Sequence, residues 1–520
     1  MQKPQILWAD DEIDLLKPHI LFLNNKGYEI TAVNNGVEAV EKAQNQYFDI
    51  VFLDENMPGM TGLEALAQIK ASKPSLPIVM ITKSEEEHIM EDAIGAKIAD
   101  YLIKPLNPNQ ILLSVKKLLD NKRLVTEKTN MSYQQEFRNL AMAYNDDMGH
   151  EEWADIYKKL VYWELEIENT ENKSMAEVIE MQKDEANSNF AQFIIENYEE
   201  WLNDPKVDKP LMSQNLMKKK VFPTLKADKP TFFILIDNFR MDQWKVVQPL
   251  ISDMFNVVEE DHYYSILPTA TAFARNAIFS GLMPSEMEKF HPNLWVGDDE
   301  DEGKNQHEEE FLSRQMQKAG IGNLKMSYNK IISAQQGKDL VDKFNNLKAN
   351  ALNVVVFNFV DMLSHARTDS QMVRELAPDE SAYRSLTKAW FNHSPLLELL
   401  KKIADAGYPV VVTTDHGTIK VKKAFKIVGD KNVNTNLRYK GGKNLGFDEG
   451  KEVMVSRKPE RLFLPKPNVS TAYVFTTNDY FFAYPNNFNY YVNFYKDTFQ
   501  HGGISLEEMI IPILRLEPKK

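Results

Sequence analysis

Residues 409–417 read PVVVTTDHG. After the proline come three valines and two threonines, a short β-branched run of the kind that forms a strand buried on both faces. The run stops on an aspartate and a histidine, two metal-ligating types. Two other stretches have the same form, FFILID at 232–237 and NVVVFNFVD at 353–361, and each ends in aspartate. From Thr231 onward, strand-like and helix-like segments alternate, which predicts an α/β domain with parallel strands. An open sheet of that kind binds ligands outside the carboxyl ends of its strands. Asp237, Asp361 and Asp415 are therefore expected to line one crevice.

Toward the N-terminus the same grammar appears in shorter form. QILWADD, YEITAVN, FDIVFLDE, PIVMIT and DYLIKP alternate with amphipathic segments between residue 3 and about 120. This predicts a doubly wound parallel sheet. Between 121 and 205 glycine nearly vanishes, and no proline appears until Pro205. Stretches such as EEWADIYKKLVYWELE read there as two or three packed amphipathic helices. The expected organisation is a doubly wound domain at 1–120, a helical-bundle linker at 121–205 and an α/β domain at 206–520. The segment DDEDEGKNQHEEE at 298–310 is dense in charge and reads as a solvated loop.

Composition narrows the function classes. The 520 residues are 43% hydrophobic and 26% charged, which allows large cores. A net charge of -14 gives no global attraction for nucleic-acid phosphates. No clustered basic helix-turn-helix pattern follows residue 120, so direct duplex DNA binding is not expected. Cysteine is absent, which excludes disulfides and thiolate metal sites and suits a reducing, cytoplasmic setting. The opening MQKPQILWADDE does not read as a signal peptide, and no apolar stretch is long enough to span a membrane.

At the front sheet, Asp10 and Asp11 follow the first strand and Asp54 ends the third. Three carboxylates brought together repel one another unless a hard dication sits among them, and Mg²⁺ suits such an all-oxygen site. Thr82 ends the next strand and offers a hydroxyl. Lys104 ends the last and offers a cation to a phosphoryl oxygen. The Lys104–Pro105 peptide is a candidate cis bond. In this order and spacing, with ENMPGMTG after Asp54, the residues resemble the receiver domain of response regulators. The resemblance implies that Asp54 accepts phosphate from a histidine kinase. It implies that Asp10, Asp11, Asp54 and the backbone carbonyl of Asn56 hold Mg²⁺, and that Thr82 and Lys104 bind the phosphoryl group. Tyr101 resembles the aromatic switch residue, and the surface near it is implied to become a dimer face on phosphorylation. Lys83 departs from the family, which usually has a small residue there, and would narrow phosphoryl access.

At the back sheet, Asp361 and His365 lie four residues apart and fit one helical turn. Asp415 and His416 are adjacent, and His501 lies in QHGGISLEEMIIP. Mixed imidazole and carboxylate donors favour Zn²⁺, with Mn²⁺ as the leading rival. The stretch LPTATAFARNAIFSG supplies hydroxyls at Thr269 and Thr271 ahead of an amphipathic segment whose amino end would favour phosphate. A hydroxyl beside a metal ion is acidified and becomes a nucleophile. The ordered set of DN, PTATAFAR, VDMLSH, TTDHG and HGGISLEEMIIP resembles the PglZ branch of the alkaline phosphatase superfamily. The resemblance implies two zinc ions, one held by Asp361, His365 and His501, the other by Asp237, Asp415 and His416. It prefers Thr271 over Thr269 as the bridging nucleophile. A receiver joined by helices to such a domain resembles the PorX-type response regulators, which are associated with type IX secretion and gliding.

Together these readings imply a response regulator with a metal-dependent phosphodiesterase output, acting on linear or cyclic nucleotide-type diesters. Arg275, four after Thr271, could supply a third positive centre for a monoester but reads better as a structural ion-pair residue. NTNLRYKGGKN at 434–444 reads equally as a substrate-gripping loop or a plain hairpin tip. The alternative function is a signalling adaptor whose output is contact with a sigma factor or a secretion component.

Overall fold

The structure, a computed structural model, describes residues 3–83, 98–143, 148–170, 173–297, 303–429 and 434–519. Its contacts divide the chain into two compact units, Met1–Tyr133 and Gln134–Lys520.

The first unit is built on five short strands: β1 (Gln5–Ala9), β2 (Glu29–Val33), β3 (Ile50–Asp54), β4 (Ile78–Thr82) and β5 (Asp100–Ile103). They lie in the order β2-β1-β3-β4-β5, all parallel. Helices α1 (Lys17–Asn25), α2 (Gly36–Asn45) and α3 (Gly62–Ser72) connect them. Every residue of β3 and β4 is buried, because helices cover both faces of a parallel sheet. Local chemistry starts the helices where the strands need them. Asn35 accepts from the Glu38 N–H ahead of α2, and Thr61 with Glu64 forms a capping box ahead of α3. The strand order reverses between β1 and β3, which brings Asp10 and Asp54 to one crevice. Helix α4 (Pro108–Ala143) follows β5 and runs across the division between the units.

In the second unit, α5 (His150–Glu168) and α6 (Lys173–Asn203) precede the sheet. Six strands form it: β6 (Thr231–Ile236), β7 (Phe255–Tyr264), β8 (Met326–Ile331), β9 (Leu352–Phe357), β10 (Val410–Thr413) and β11 (Ile510–Pro518). Their order is β7-β11-β10-β6-β9-β8. The four strands from β10 to β8 are parallel, and β11 runs antiparallel to both neighbours. Every residue of β6, β9 and β10 is buried, as their unbroken apolar runs require. One face packs Phe232, Ile234, Val355 and Val412 against helices that include α11 (Pro395–Asp405), which is preceded by α10 (Glu380–His393).

Helices α5 and α6 do not stand apart from this sheet. Trp153, Tyr157, Phe190 and Trp201 are buried, and Trp201 meets Tyr264 of β7 edge-on at 5.6 Å. Tyr264 donates its hydroxyl to the His150 carbonyl at 2.7 Å. A charged clasp adds to this packing: Arg384 of α10 pairs with Glu164 at 2.8 Å, and Lys183 of α6 pairs with the same Glu164 at 2.7 Å. A cavity of about 320 Å³ lies beside the clasp, bordered by Lys183, Asn187 and Lys422.

Candidate functional site

Strands β6, β9 and β10 end level with one another. Thr413 pairs with Leu235, and Ile236 pairs with Phe357. Asp237 directly follows β6 and Asp415 follows β10 by two residues. Asp361 sits in the first turn of α9 (Phe359–Asp369), just past β9. Asn238 holds the three together. Its backbone is left-handed, with φ of 61°, which asparagine tolerates better than most residues. That turn lets its N–H donate to Asp415 Oδ1 at 3.4 Å, while its side-chain amide donates to Asp361 Oδ1 at 3.3 Å and Ser364 Oγ at 3.1 Å.

Two triads of donors result, Asp361–His365–His501 and Asp237–Asp415–His416, with one ligand atom from each member within 4.8 Å of the others in its triad. The triads adjoin. His501 Nε2 is 3.7 Å from Asp361 Oδ1, and its ring stacks on His416 at 4.3 Å between centroids. Outward contacts fix both rings: His416 Nδ1 meets the Gly417 carbonyl at 3.1 Å and His501 Nδ1 meets the Thr269 carbonyl at 3.2 Å. Each therefore turns Nε2 toward the carboxylates, the usual arrangement of a ligating histidine.

Thr271 opens α7 (Thr271–Ser280). Its hydroxyl oxygen lies 3.0 Å from His416 Nε2 and 3.3 Å from Asp237 Oδ1. Thr269 is used differently. Its hydroxyl donates to the Gly503 carbonyl at 2.8 Å and accepts from the Gly502 N–H at 3.1 Å, which ties down the turn that carries His501.

The electrostatics demand positive charge. Asp237, Asp415 and His416 are fully buried, and Asp415 Oδ2 has no hydrogen-bond partner. Burial, and then Asp237, pushes the Asp415 carboxyl well up. The same two causes, in that order, push Asp361 up to about 6. Burial pushes His416 down and His501 well down, which keeps both imidazoles neutral and able to ligate. Crowded carboxylates, neutral imidazoles and a buried carboxylate oxygen without a partner fit a pair of divalent cations.

In the first unit, Asp10, Asp11 and Asp54 form another such group. Lys104 Nζ bridges it, 2.9 Å from Asp10 Oδ2 and 2.7 Å from Asp54 Oδ1. Burial raises the Asp54 carboxyl beyond what Lys104 offsets. Burial also lowers Lys104, but its hydrogen bonds to the two carboxylates more than compensate. The Asn56 N–H donates to Asp54 Oδ2 at 3.2 Å. The Thr82 hydroxyl donates to Glu55 at 2.6 Å, and Tyr101 is 38% exposed. Lys83 pairs outward with Glu12 at 3.2 Å, and the Lys104–Pro105 peptide is cis.

Comparison with known proteins matches three segments. Residues 6–116 match the response regulator receiver domain, and residues 123–202 match the PorX response regulator linker domain. Residues 216–516, more than half of the chain, match the BREX system PglZ alkaline phosphatase-like domain. The chain belongs to the PglZ family. With its receiver and linker it is a response regulator of the PorX type. Two curated relatives are the alginate regulator AlgB of Pseudomonas syringae pv. tomato and ResD of Bacillus subtilis. AlgB is 35% identical over 120 residues, 23% of this chain and 27% of that protein. ResD is 36% identical over 115 residues, 22% of this chain and 48% of that protein. The chain thus spans about a quarter to a half of these relatives' lengths. A CheY-like receiver from Methanospirillum hungatei is 27% identical, covering 23% of this chain and 95% of that one, with a TM-score of 0.22.

Several expectations for the PglZ domain change in the structure. Arg275, by contrast, takes the structural ion-pair role expected of it rather than that of a third positive centre. It is buried, donating to Asp237 Oδ2 at 2.7 Å and to Glu308 Oε1 at 2.5 Å. The acidic segment 298–310 is not all solvated loop. Residues 298–302 lie outside the described residues, but Glu308, at the start of α8 (Glu308–Lys318), is buried and also accepts from Tyr328. Asn305 is buried too, and its side chain donates to the Thr271 carbonyl at 3.0 Å. The stretch 434–444 is neither a gripping loop nor a bare hairpin tip. Arg438 is buried against Glu508 at 2.5 Å, and residues 439–442 pair with 472–475. Glu508 also accepts from the Gly503 N–H at 2.9 Å, so Arg438 supports the turn beside His501.

Among the described residues, no helix is long and apolar enough to cross a membrane.

Proposed function

We propose that the PglZ domain is a two-metal phosphodiesterase controlled by phosphorylation of Asp54. The observation that carries this reading is the Thr271 hydroxyl, placed 3.0 Å from His416 Nε2 and 3.3 Å from Asp237 Oδ1 in the second triad, with the first triad alongside. Asp361, His365 and His501 would hold one zinc ion. Asp237, Asp415 and His416 would hold the other, next to Thr271. Bound dications supply charge neutralisation and acidify a neighbouring hydroxyl.

The chain's own residues then have defined tasks. Thr271 Oγ1 gives up its proton to solvent water and forms a bond to phosphorus, while the bond from phosphorus to the leaving oxygen breaks with its electron pair and that oxygen takes a proton from water. Water next cleaves the Thr271–phosphate ester and restores the hydroxyl. Two displacements give retention at phosphorus. Asn305 and the start of α7 keep the hydroxyl in line, and Asn238 keeps the carboxylates of both triads in register. A monoester would bring an additional negative charge. Two nearby cations, Arg275 and Lys330, are engaged by Asp237, Glu308 and the Asn305 carbonyl, which favours a diester.

In the receiver, Mg²⁺ would be held by Asp10, Asp11, Asp54 and the Asn56 carbonyl. Lys104 and Thr82 would turn to the phosphoryl group and Tyr101 would follow, favouring a homodimer. The match of the linker to PorX supports a place in type IX secretion and gliding control. The deciding test is zinc-loaded protein with bis-p-nitrophenyl phosphate. Wild type is expected to hydrolyse it and Thr271→Val to lose roughly a thousandfold in rate; equal rates would overturn the reading.

A further inference from the structure

None of the metal-triad residues borders the cavity of about 320 Å³ beside the Glu164 clasp. Its wall is drawn from α5 and α6, from the start of α10, and from Lys420, Lys422, Asp479 and Glu507. The lining is acidic: among the described residues, eight carboxylates accompany four cations. Each of those cations is already held. Lys183 pairs with Glu164 at 2.7 Å and Glu507 at 3.6 Å, and Arg384 with Glu164 at 2.8 Å. Lys422 pairs with Glu180 at 2.7 Å, and Lys420 with Asp497 at 3.6 Å. Arg240 and Lys423, outside the lining, reach Glu380 and Asp479, and carboxylates remain in excess.

The acids are less well satisfied. Asp479 is 1% exposed, and neither of its carboxylate oxygens accepts a hydrogen bond, although Lys423 Nζ lies 3.0 Å from Oδ1. Buried acceptors left without a donor are rare and costly. Burial raises the Glu507 carboxyl beyond what Lys183 offsets, and the Asp184 carboxyl beyond what Lys422 offsets. Beside these acids the lining is apolar, with Ile167, Ile179 and Ile419 all buried. The carboxylates are also dispersed. Among the described residues, no three of them bring oxygens within 4.8 Å of one another as the metal triads do. Dispersed acids between apolar patches suit a flexible cation whose charges are separated by methylenes, not a point dication.

We propose that this cavity binds a linear aliphatic polyamine, its ammonium groups donating to Asp479 and Glu507 and its methylenes lying on Ile179 and Ile419. Protonated amines make the charge-assisted hydrogen bonds that those carboxylates lack. The bound polyamine ties α6, through Asp184, to the PglZ residues Asp479 and Glu507 across the cavity. The site goes beyond the phosphodiesterase reading and stands whether or not the triads catalyse.

Isothermal titration calorimetry of the full chain with spermidine tests this, with n-butylamine and Mg²⁺ compared at matched ionic strength. Wild type is expected to bind one spermidine per chain, and butylamine and Mg²⁺ about tenfold more weakly or less. Asp479→Asn keeps the side-chain size and should weaken spermidine about tenfold. Ala176→Trp, at an exposed lining position of α6, should fill the cavity and abolish saturable binding. Asp253→Asn removes an exposed acid outside the lining and should change nothing. Should Asp479→Asn fail to fold, Ala176→Trp decides alone. Absence of saturable binding to wild type overturns the site, as does affinity unchanged by either cavity substitution. Mg²⁺ binding as tightly as spermidine also overturns it and assigns the effect to the acidic surface at large.

Discussion

The guanidinium of Arg275 donates to the Asp237 carboxylate at 2.7 Å, and each side chain is only 1% exposed. A second buried acid, Glu308, takes the Nε of the same arginine at 2.5 Å. Removing the arginine would strand two carboxylates away from water. Arg275→Ala is expected to cost about 3–5 kcal/mol in metal-free protein, and Arg275→Lys to recover part of this, since a lysine lacks the fork that reaches both acids. Zinc should return some of the loss by neutralising Asp237. Calorimetry with and without chelator should therefore show a wider gap between loaded and stripped forms than in wild type; an unchanged gap would count against this role.

Asp361 makes a pH prediction. Its carboxyl is pushed from 3.8 up to about 6, first by burial and then by Asp237. A group raised in the folded state favours folding while protonated, and its cost appears as pH rises through the folded value. Metal-free protein should thus lose roughly 2–3 kcal/mol from this group between pH 4 and pH 7. Urea titrations of chelator-treated wild type and Asp361→Asn check it: the difference between them should grow over that window and shrink when zinc is added.

Glu164 titrates the other way. Burial raises its carboxyl, but Lys183 and Arg384 together hold it well below the usual carboxylate range. The clasp is complete above about pH 4.5 and is lost as pH falls. Glu164→Gln should cost about 3 kcal/mol or more at neutral pH and flatten the acid limb of the stability curve. Denaturation midpoints between pH 3 and pH 7 give the comparison, and parallel curves for the two proteins would refute the expectation.

In the receiver, Asp54→Ala should abolish labelling by acetyl phosphate, and Lys104→Ala should leave Asp10 and Asp54 without their shared cation. We expect wild type with a beryllofluoride mimic to sediment as a dimer and Asp54→Ala to remain unchanged by it. Label retained in Asp54→Ala would place the acceptor elsewhere.

The sequence exposed what local pattern encodes. Strands buried on both faces leave short unbroken apolar runs, so β6, β9 and β10 and the aspartates at or just past their ends are readable directly. The histidines stand out because their type is scarce. What stayed hidden depends on partners distant in the chain. Glu308 looks like one acid among many until Arg275, thirty-three residues away, is folded against it. Arg438 in a glycine-rich stretch resembles an exposed cation, yet its carboxylate lies seventy residues on. Asn238 left a faint signal: an asparagine directly after a strand-ending aspartate is suited to a left-handed turn. The docking of α5 and α6 was masked for the same reason, since Glu164, Lys183 and Arg384 each pass for ordinary surface charges.

The placement of β11 has a consequence for biosynthesis. Residues 510–518 occupy an interior lane between β7 and β10. A ribosome must therefore have passed them before the sheet can close, and a nascent chain stalled short of residue 501 also lacks His501. The receiver strands, all made by residue 103, need no such wait. During translation the sensing half can take shape while the output half is still inert, so a truncated product would be able to accept a signal but have nothing with which to answer it.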